Sequence, residues 1–270
     1  MRWGTALLRG AVSAAILAVL LARTPLDEVL ERAAGAAPAP LAAALALVLL
    51  MYLLVSVRWR LVARALGAAL PPGAALRAVF LGLFGGQLLP TTVGSDVVRG
   101  WAAARHLGSV PRAAASILAD RLAGLIGVCV LVAAINLALG AAALAASCAL
   151  LAGFLYFFKL PSRPVPLAAA ILLALAIHVL HVFTASLSAA AYGVNASPAL
   201  WFAVLPLAII ACAVPISING WGVREAVVVT LAGTHGVAAP DALVVSLTLG
   251  LLNTAASLPG AMLLLVHDRK

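Results

Sequence analysis

The chain has 270 residues, of which 65% are hydrophobic and 9% charged, and its mean hydropathy is +1.18. Soluble domains are about half apolar and a quarter charged, so a water-soluble fold of this length could not bury so much apolar surface. In a soluble protein the formal net charge of +9 would suggest nucleic-acid binding. Here the basic residues stand at the ends of apolar segments, where they indicate topology and contact with anionic lipid, so we expect no nucleic-acid partner. The composition therefore predicts an all-α polytopic membrane protein that forms one transmembrane domain over residues 1–270.

Seven apolar segments approach the length of about 20 residues that a helix needs to cross the hydrocarbon core. They are residues 4–22, 41–57, 114–135, 137–158, 165–187, 199–214 and 241–266. Arg2 and Arg9 before the first segment leave a signal peptide open as an alternative, whereas Arg23 directly after it favours a retained helix.

The distribution of basic residues predicts the orientation. Seven of the 17 lie between Arg58 and Arg112, and the loops at residues 23–40 and 188–198 are poor in net positive charge. Cytoplasmic N and C termini satisfy the positive-inside rule if the number of crossings is even. Residues 219–237 are the candidate for the additional crossing, which gives about eight membrane segments in total.

Two segments, residues 80–105 and 207–231, are apolar at first, break at a proline with small residues and then carry charge. The apolar part of the first is too short to span, so a helix that turns back inside the membrane is one interpretation. Paired interrupted segments in the two halves of a membrane protein indicate an inverted repeat with a midplane site built from broken helices.

The two interrupted segments align around their prolines. Setting Pro90 on Pro215 places Arg99 on Arg224, each nine residues after its proline. Half-helix N termini at such breaks offer amide donors and the positive end of a helix dipole, which suits a phosphate.

Three acidic residues lie in or beside apolar stretches, and each has an arginine within three positions. They are Asp96 with Arg99, Asp120 with Arg121 and Glu225 with Arg224. Ionisable groups at membrane depth are costly, usually paired and often functional. Two interpretations remain open: the pairs only neutralise one another or snorkel to the interface, or they line a cavity that receives a zwitterionic or anionic headgroup.

Tryptophan and histidine residues give weaker signals. Trp59 and Trp101 stand among arginines and are predicted interface anchors, while Trp221 in the glycine-rich break either anchors or lines the cavity. His178 and His181 share a helix face, but without a third ligand nearby we expect packing or a hydrogen bond rather than a metal. We find no nucleophile or nucleotide-binding motif and predict no catalytic residue, cofactor or metal.

Two blocks of motifs extend over nearly the whole chain. They are Arg58-Trp59, Gln87-Leu88-Leu89-Pro90 with Gly94, Asp96 and Arg99, then Asp120-Arg121, and Pro215 with Gly220 and Trp221-Gly222-Val223-Arg224-Glu225. In this order they resemble the flippase-like membrane domain of lysylphosphatidylglycerol synthetases, which also occurs alone in bacterial and archaeal membrane proteins. Gln87 stands where an Asn is common in that family, and Asp120 where a Glu usually precedes the Arg.

The resemblance implies movement of a lipid between leaflets of the bacterial inner membrane, and synthesis is not expected without a soluble synthetase domain. We expect a flippase or scramblase for a phospholipid, an aminoacylated lipid or a polyprenyl lipid, with an Arg-lined cavity. The candidate substrate-binding residues are Arg58, Gln87, Pro90, Asp96, Arg99, Asp120, Arg121, Pro215, Asn219, Trp221, Arg224 and Glu225.

Two other functions are compatible with the same residues. One is an intramembrane enzyme or accessory protein that acts on a polyprenyl-phosphate or phospholipid substrate, with Asp96 or Glu225 as base. The other is a subunit of a homo-oligomer or of a complex with a membrane partner, whose charged pairs only hold helices together.

Overall fold

The computed structural model describes residues 2–88, 94–135, 164–214 and 216–265, together with the isolated positions 145, 149 and 152. These ranges hold ten helices and no strand, so the prediction of an all-α fold is confirmed. The helices are α1 (Arg2–Arg23), α2 (Leu26–Ala34), α3 (Pro38–Ala65), α4 (Pro72–Leu88), α5 (Gly94–Leu107), α6 (Val110–Ile135), α7 (Pro164–Ala191), α8 (Pro198–Ala213), α9 (Val223–Thr234) and α10 (Ala239–Leu265).

Four of these helices, α3, α6, α7 and α10, are long and apolar enough to cross a membrane. The bent pair of α1 and α2, whose axes differ by 92°, makes a fifth if it counts as one span. The protein is therefore a polytopic membrane protein. The predicted span at residues 137–158 lies almost entirely outside the described residues, and the number of about eight membrane segments stays a prediction.

The expectation of a loop over residues 23–40 is wrong for Leu26–Ala34, which forms α2. Its acidic residues are concentrated in the first turn and Arg32 lies in the last turn, as the helix dipole favours. Arg32 also forms an ion pair with Glu28 at 3.4 Å and another with Asp241 at the start of α10. The nine-residue helix was missed because it is too short and too charged to give a membrane-span signal.

The chain forms two compact units. Unit 1 comprises the described residues within 1–49 and 180–256, and unit 2 comprises the described residues within 50–88, 94–179 and 257–265. The core of unit 1 includes the fully buried Trp201, Leu205 and Leu243, and the core of unit 2 includes the fully buried Trp59 and Ala103. A single domain over the whole chain stays a prediction.

In unit 2, glycines allow α4 and α5 to pack closely. A Cβ atom on Gly82 would lie 2.6 Å from the carbonyl oxygen of Ser95, and one on Gly85 would lie 2.7 Å from Cγ2 of Val98. Such distances are shorter than van der Waals contact, so a larger residue at either position would have to displace its neighbour on α5. The close packing of α4 on α5 fixes the position of α5, whose residues Asp96 and Arg99 form ion pairs with α6. Between Leu88 and Gly94, Pro90 lies outside the described residues.

In unit 1, the second interrupted segment also divides into two helices, α8 and α9, which pack against each other. The backbone between them turns through left-handed conformations at Asn219 (φ 50°), Gly220 (φ 77°) and Gly222 (φ 85°). Ser13 of α1 accepts a hydrogen bond at its Oγ from the amide of Ile218 at 2.9 Å, which ties the turn to α1. Pro215 lies outside the described residues.

Candidate functional site

A buried charge cluster in unit 2 is centred on Asp120 of α6. The Nε of Arg58 donates to Oδ1 of Asp120 at 2.8 Å, and Nη2 of Arg58 lies 3.3 Å from Oδ2. The Nη2 of Arg99 donates to Oδ2 at 2.9 Å. Asp120 is 1% exposed, and Arg58 and Arg99 are each 8% exposed. The cluster of these three residues therefore carries one more positive charge than negative charge in a setting with little water.

Trp59 of α3 packs against Arg99 of this cluster. The guanidinium carbon of Arg99 lies 3.9 Å from the centroid of the Trp59 ring, and the indole Nε1 donates to Oγ of Ser116 at 3.1 Å. Because Trp59 is fully buried, its prediction as an interface anchor is wrong. Helical periodicity points it towards α6, and burial strengthens a cation–π contact. Trp101 is 66% exposed, as expected of an anchor.

Arg99 retains unused hydrogen-bonding capacity. Its Nε is buried and has no partner among the described residues. A guanidinium presents five N–H donors, and a buried donor without an acceptor costs free energy. An anion placed beside Arg99 would therefore gain both a charge partner and a ready donor.

Arg58 is held in place by contacts that the sequence did not reveal. A Cβ on Gly124 would lie 3.2 Å from Nη1 of Arg58, so the glycine makes room for the guanidinium. The carbonyl oxygen of Gly124 lies 3.0 Å from Nε2 of the buried His178. The expected hydrogen bond of His178 is thus confirmed.

The described residues contain no group of three His, Cys, Asp or Glu that could hold a metal ion.

Asp96 of α5 forms an ion pair with Arg121 of α6 beside the cluster. The side chains of Asp96 and Arg121 are 18% and 46% exposed. The expected pairs of Asp96 with Arg99 and of Asp120 with Arg121 are therefore wrong. Adjacent residues of a helix point about 100° apart, so Asp120 and Arg121 face different surroundings and take their partners from other helices.

The buried acidic residue of unit 1 is Glu225, which lies fully buried in the first turn of α9. Its Oε2 accepts a hydrogen bond from the amide of Gly222 at 2.7 Å, and thereby caps the helix. Its Oε1 accepts bonds from Nε and Nη2 of Arg224 at 2.9 and 2.6 Å, and from Oγ of Ser246 at 3.3 Å. The expected pair of Arg224 with Glu225 is confirmed.

Arg224 also stacks on a tryptophan. Its guanidinium carbon lies 4.8 Å from the ring centroid of Trp221. A Cβ on Gly250 would lie 2.5 Å from Cη2 of Trp221 and would collide with Nη2 of Arg224. Ser246 and Gly250 are four residues apart on α10 and therefore share a face, but nothing in the sequence singled them out.

Each unit thus contains an arginine that stacks on a tryptophan and bonds to a buried acid. In unit 1 the acid adjoins the arginine in sequence and the charges balance, whereas in unit 2 two arginines share Asp120. Of the remaining predicted site residues, Gln87 and Asn219 are exposed. Pro90 and Pro215 lie outside the described residues.

A family model described as the lysylphosphatidylglycerol synthase TM region matches residues 6–162 and 155–260 of the chain. No curated protein matches the chain. The family match spans both units and includes all twelve predicted site residues.

Proposed function

Because the chain belongs to the family of lysylphosphatidylglycerol synthase transmembrane regions, we propose that it moves the phosphate-bearing headgroup of a membrane lipid from one leaflet to the other. The observation that carries this proposal is the excess positive charge of the cluster formed by Arg58, Arg99 and Asp120. A lipid phosphodiester supplies the missing negative charge.

The energetics of the cluster support an anionic ligand. Taking a phosphate out of water into the bilayer core is costly, and charged groups there are paired or face polar surroundings. Attraction between opposite charges is stronger in a low-dielectric site than in water. Arginine binds phosphate with directional, charge-assisted hydrogen bonds. Arg99 would offer its buried Nε to a phosphate oxygen while its Nη2 keeps the bond to Asp120.

The ion pair of Asp96 with Arg121 supplies a second element of the proposal. Because the pair is partly exposed, its partners can separate at modest cost. The ammonium group of an aminoacylated or zwitterionic headgroup would take the place of Arg121 beside Asp96. The phosphate would then bind at Arg99, and the cationic part of the headgroup would bind at Asp96.

A role for Glu225 as a catalytic base receives no support from its surroundings. Its carboxylate accepts bonds from a backbone amide, a guanidinium and a hydroxyl. These contacts fix the start of α9 and the position of Arg224, which is a structural role.

The test is leaflet exchange of headgroup-labelled phosphatidylglycerol and phosphatidylcholine in proteoliposomes. Arg99→Gln removes the excess charge and leaves Arg58 paired with Asp120, so the variant should fold and lose exchange about tenfold or more. Arg64→Gln makes the same charge change at an exposed residue of α3 and should exchange at the native rate. Equal rates for the two variants would contradict the proposal.

A further inference from the structure

A second feature of unit 2 is a groove with a volume of about 620 Å³. It lies where the start of α4 and the ends of α5 and α10 meet, and none of its lining residues belongs to the Asp120 cluster. Small-molecule sites have volumes of about 300–1,000 Å³, so the groove is large enough for a lipid headgroup.

The charged side chains that line the groove are all basic. They are Arg77 of α4 and Arg105 of α5, next to His106. The Nε of Arg105 donates to Nε2 of His106 at 3.1 Å, which holds the two side chains together. No acidic residue is among the described residues of the lining. Basic pockets between membrane helices bind anionic headgroups.

The rest of the lining is apolar and reaches the surface. Leu81 is buried beneath the groove, whereas Trp101 is 66% exposed and Leu264 is 39% exposed. Tryptophan is enriched at the level of the headgroups, where its ring lies against lipid. A soluble anion gains no free energy from contact with this apolar surface, whereas the acyl chains of a phospholipid would bury apolar area against it.

We propose that this groove binds an anionic phospholipid of the surrounding bilayer, with its phosphate between Arg77 and Arg105 and its acyl chains against Trp101, Leu263 and Leu264. The basic residues supply charge complementarity, and the adjoining apolar surface selects a lipid over a free phosphate. The site is separate from the Asp120 cluster, and it binds a lipid whether or not the protein moves one.

The test is native mass spectrometry of the full chain in detergent, with phosphatidylglycerol and phosphatidylcholine as probes. We expect the native protein to retain phosphatidylglycerol in preference to phosphatidylcholine. The double variant Arg77→Gln/Arg105→Gln should lose about tenfold in affinity for phosphatidylglycerol, since two charge-assisted bonds are removed. The matched control Arg64→Gln/Arg112→Gln changes the charge equally at exposed positions and should bind as the native protein does. Equal retention by both double variants would overturn the proposal.

A second variant tests the position of the lipid without changing charge. Gly73 lines the groove, and an added Cβ there would meet no atom within 4 Å. Gly73→Phe should therefore fold, fill the groove and lower the retention of phosphatidylglycerol. Unchanged retention would overturn the proposal. So would displacement of the lipid by inorganic phosphate or glycerol 3-phosphate at a concentration equal to that of the lipid, because a soluble anion would then bind as tightly without acyl chains.

Discussion

Arg99 lies with its guanidinium carbon 3.9 Å from the ring centroid of Trp59 while its Nη2 donates to Asp120. The ring restricts the plane of the guanidinium, and the carboxylate restricts its rotation within that plane. Together they leave the Nε of Arg99 without an acceptor among the described residues. These two contacts therefore fix the position of Arg99 and leave one of its N–H donors without a bond to any described residue.

The first prediction concerns Trp59. Trp59→Leu removes the aromatic face and should lower the free energy of unfolding by about 2 kcal/mol or more, because a desolvated cation–π contact and buried area are both lost. Trp59→Phe keeps a ring below Arg99 and should lose less, chiefly the hydrogen bond to Ser116. Thermal unfolding in detergent and lipid exchange in proteoliposomes measure both effects. The control is Trp101→Leu at an exposed residue, and a loss of stability as large as that of Trp59→Leu would contradict the assignment.

The sequence predicted the four long apolar helices α3, α6, α7 and α10, because a bilayer imposes a length and a composition on any segment that crosses it. It also identified the buried charges, since ionisable residues in apolar stretches are rare. It could not predict that Arg58 pairs with Asp120, because the two are 62 positions apart and only the packing of α3 on α6 brings them together. Trp59 was misread because a tryptophan between arginines is typical of an interface, and only the tertiary contact with Ser116 shows its burial.

The second prediction concerns the charge balance around Asp120. Asp120→Asn leaves two buried arginines without a counterion and should lower the free energy of unfolding by about 3–5 kcal/mol. Asp120→Asn combined with Arg99→Gln leaves a single buried cation and should recover part of that loss. Chemical denaturation of the single and double variants measures the recovery. A double variant that is less stable than Asp120→Asn would show that the charges are not coupled.

The partly exposed pair of Asp96 with Arg121 gives the third prediction. Asp96→Asn should change the free energy of unfolding by no more than about 1 kcal/mol, because the pair is accessible to solvent. If Asp96 binds the cationic part of a headgroup, the same variant should slow the exchange of an aminoacylated lipid more than that of phosphatidylglycerol. The two lipids are compared in the same proteoliposomes. Equal slowing would contradict the role proposed for Asp96.

The fourth prediction distinguishes the structural contacts of Glu225 from a catalytic role. Ser246→Ala removes one of its hydrogen bonds and should cost about 0.5–1.5 kcal/mol. Glu225→Gln leaves Arg224 without its buried counterion and should cost more, about 3–5 kcal/mol. Thermal unfolding should therefore rank the variants in that order. A Glu225→Gln variant of native stability would contradict the structural role.

The fifth prediction concerns the contact of α4 with α5. Gly85→Ala places a methyl group 2.7 Å from Cγ2 of Val98 and should cost about 1–3 kcal/mol through overpacking. Adding Val98→Ala removes that side-chain obstacle and should restore part of the stability, whereas Gly82→Ala meets the backbone oxygen of Ser95 and has no such rescue. Gly233→Ala is the control, because an added methyl group there meets no atom within 4 Å and alanine stabilises a helix by about 0.5–1 kcal/mol relative to glycine.

Because α5 carries Arg99, Gly85→Ala should also slow lipid exchange in proportion to its effect on packing. A Gly85→Ala variant as stable as Gly233→Ala would show that α4 and α5 are not held at the distance on which the cluster depends.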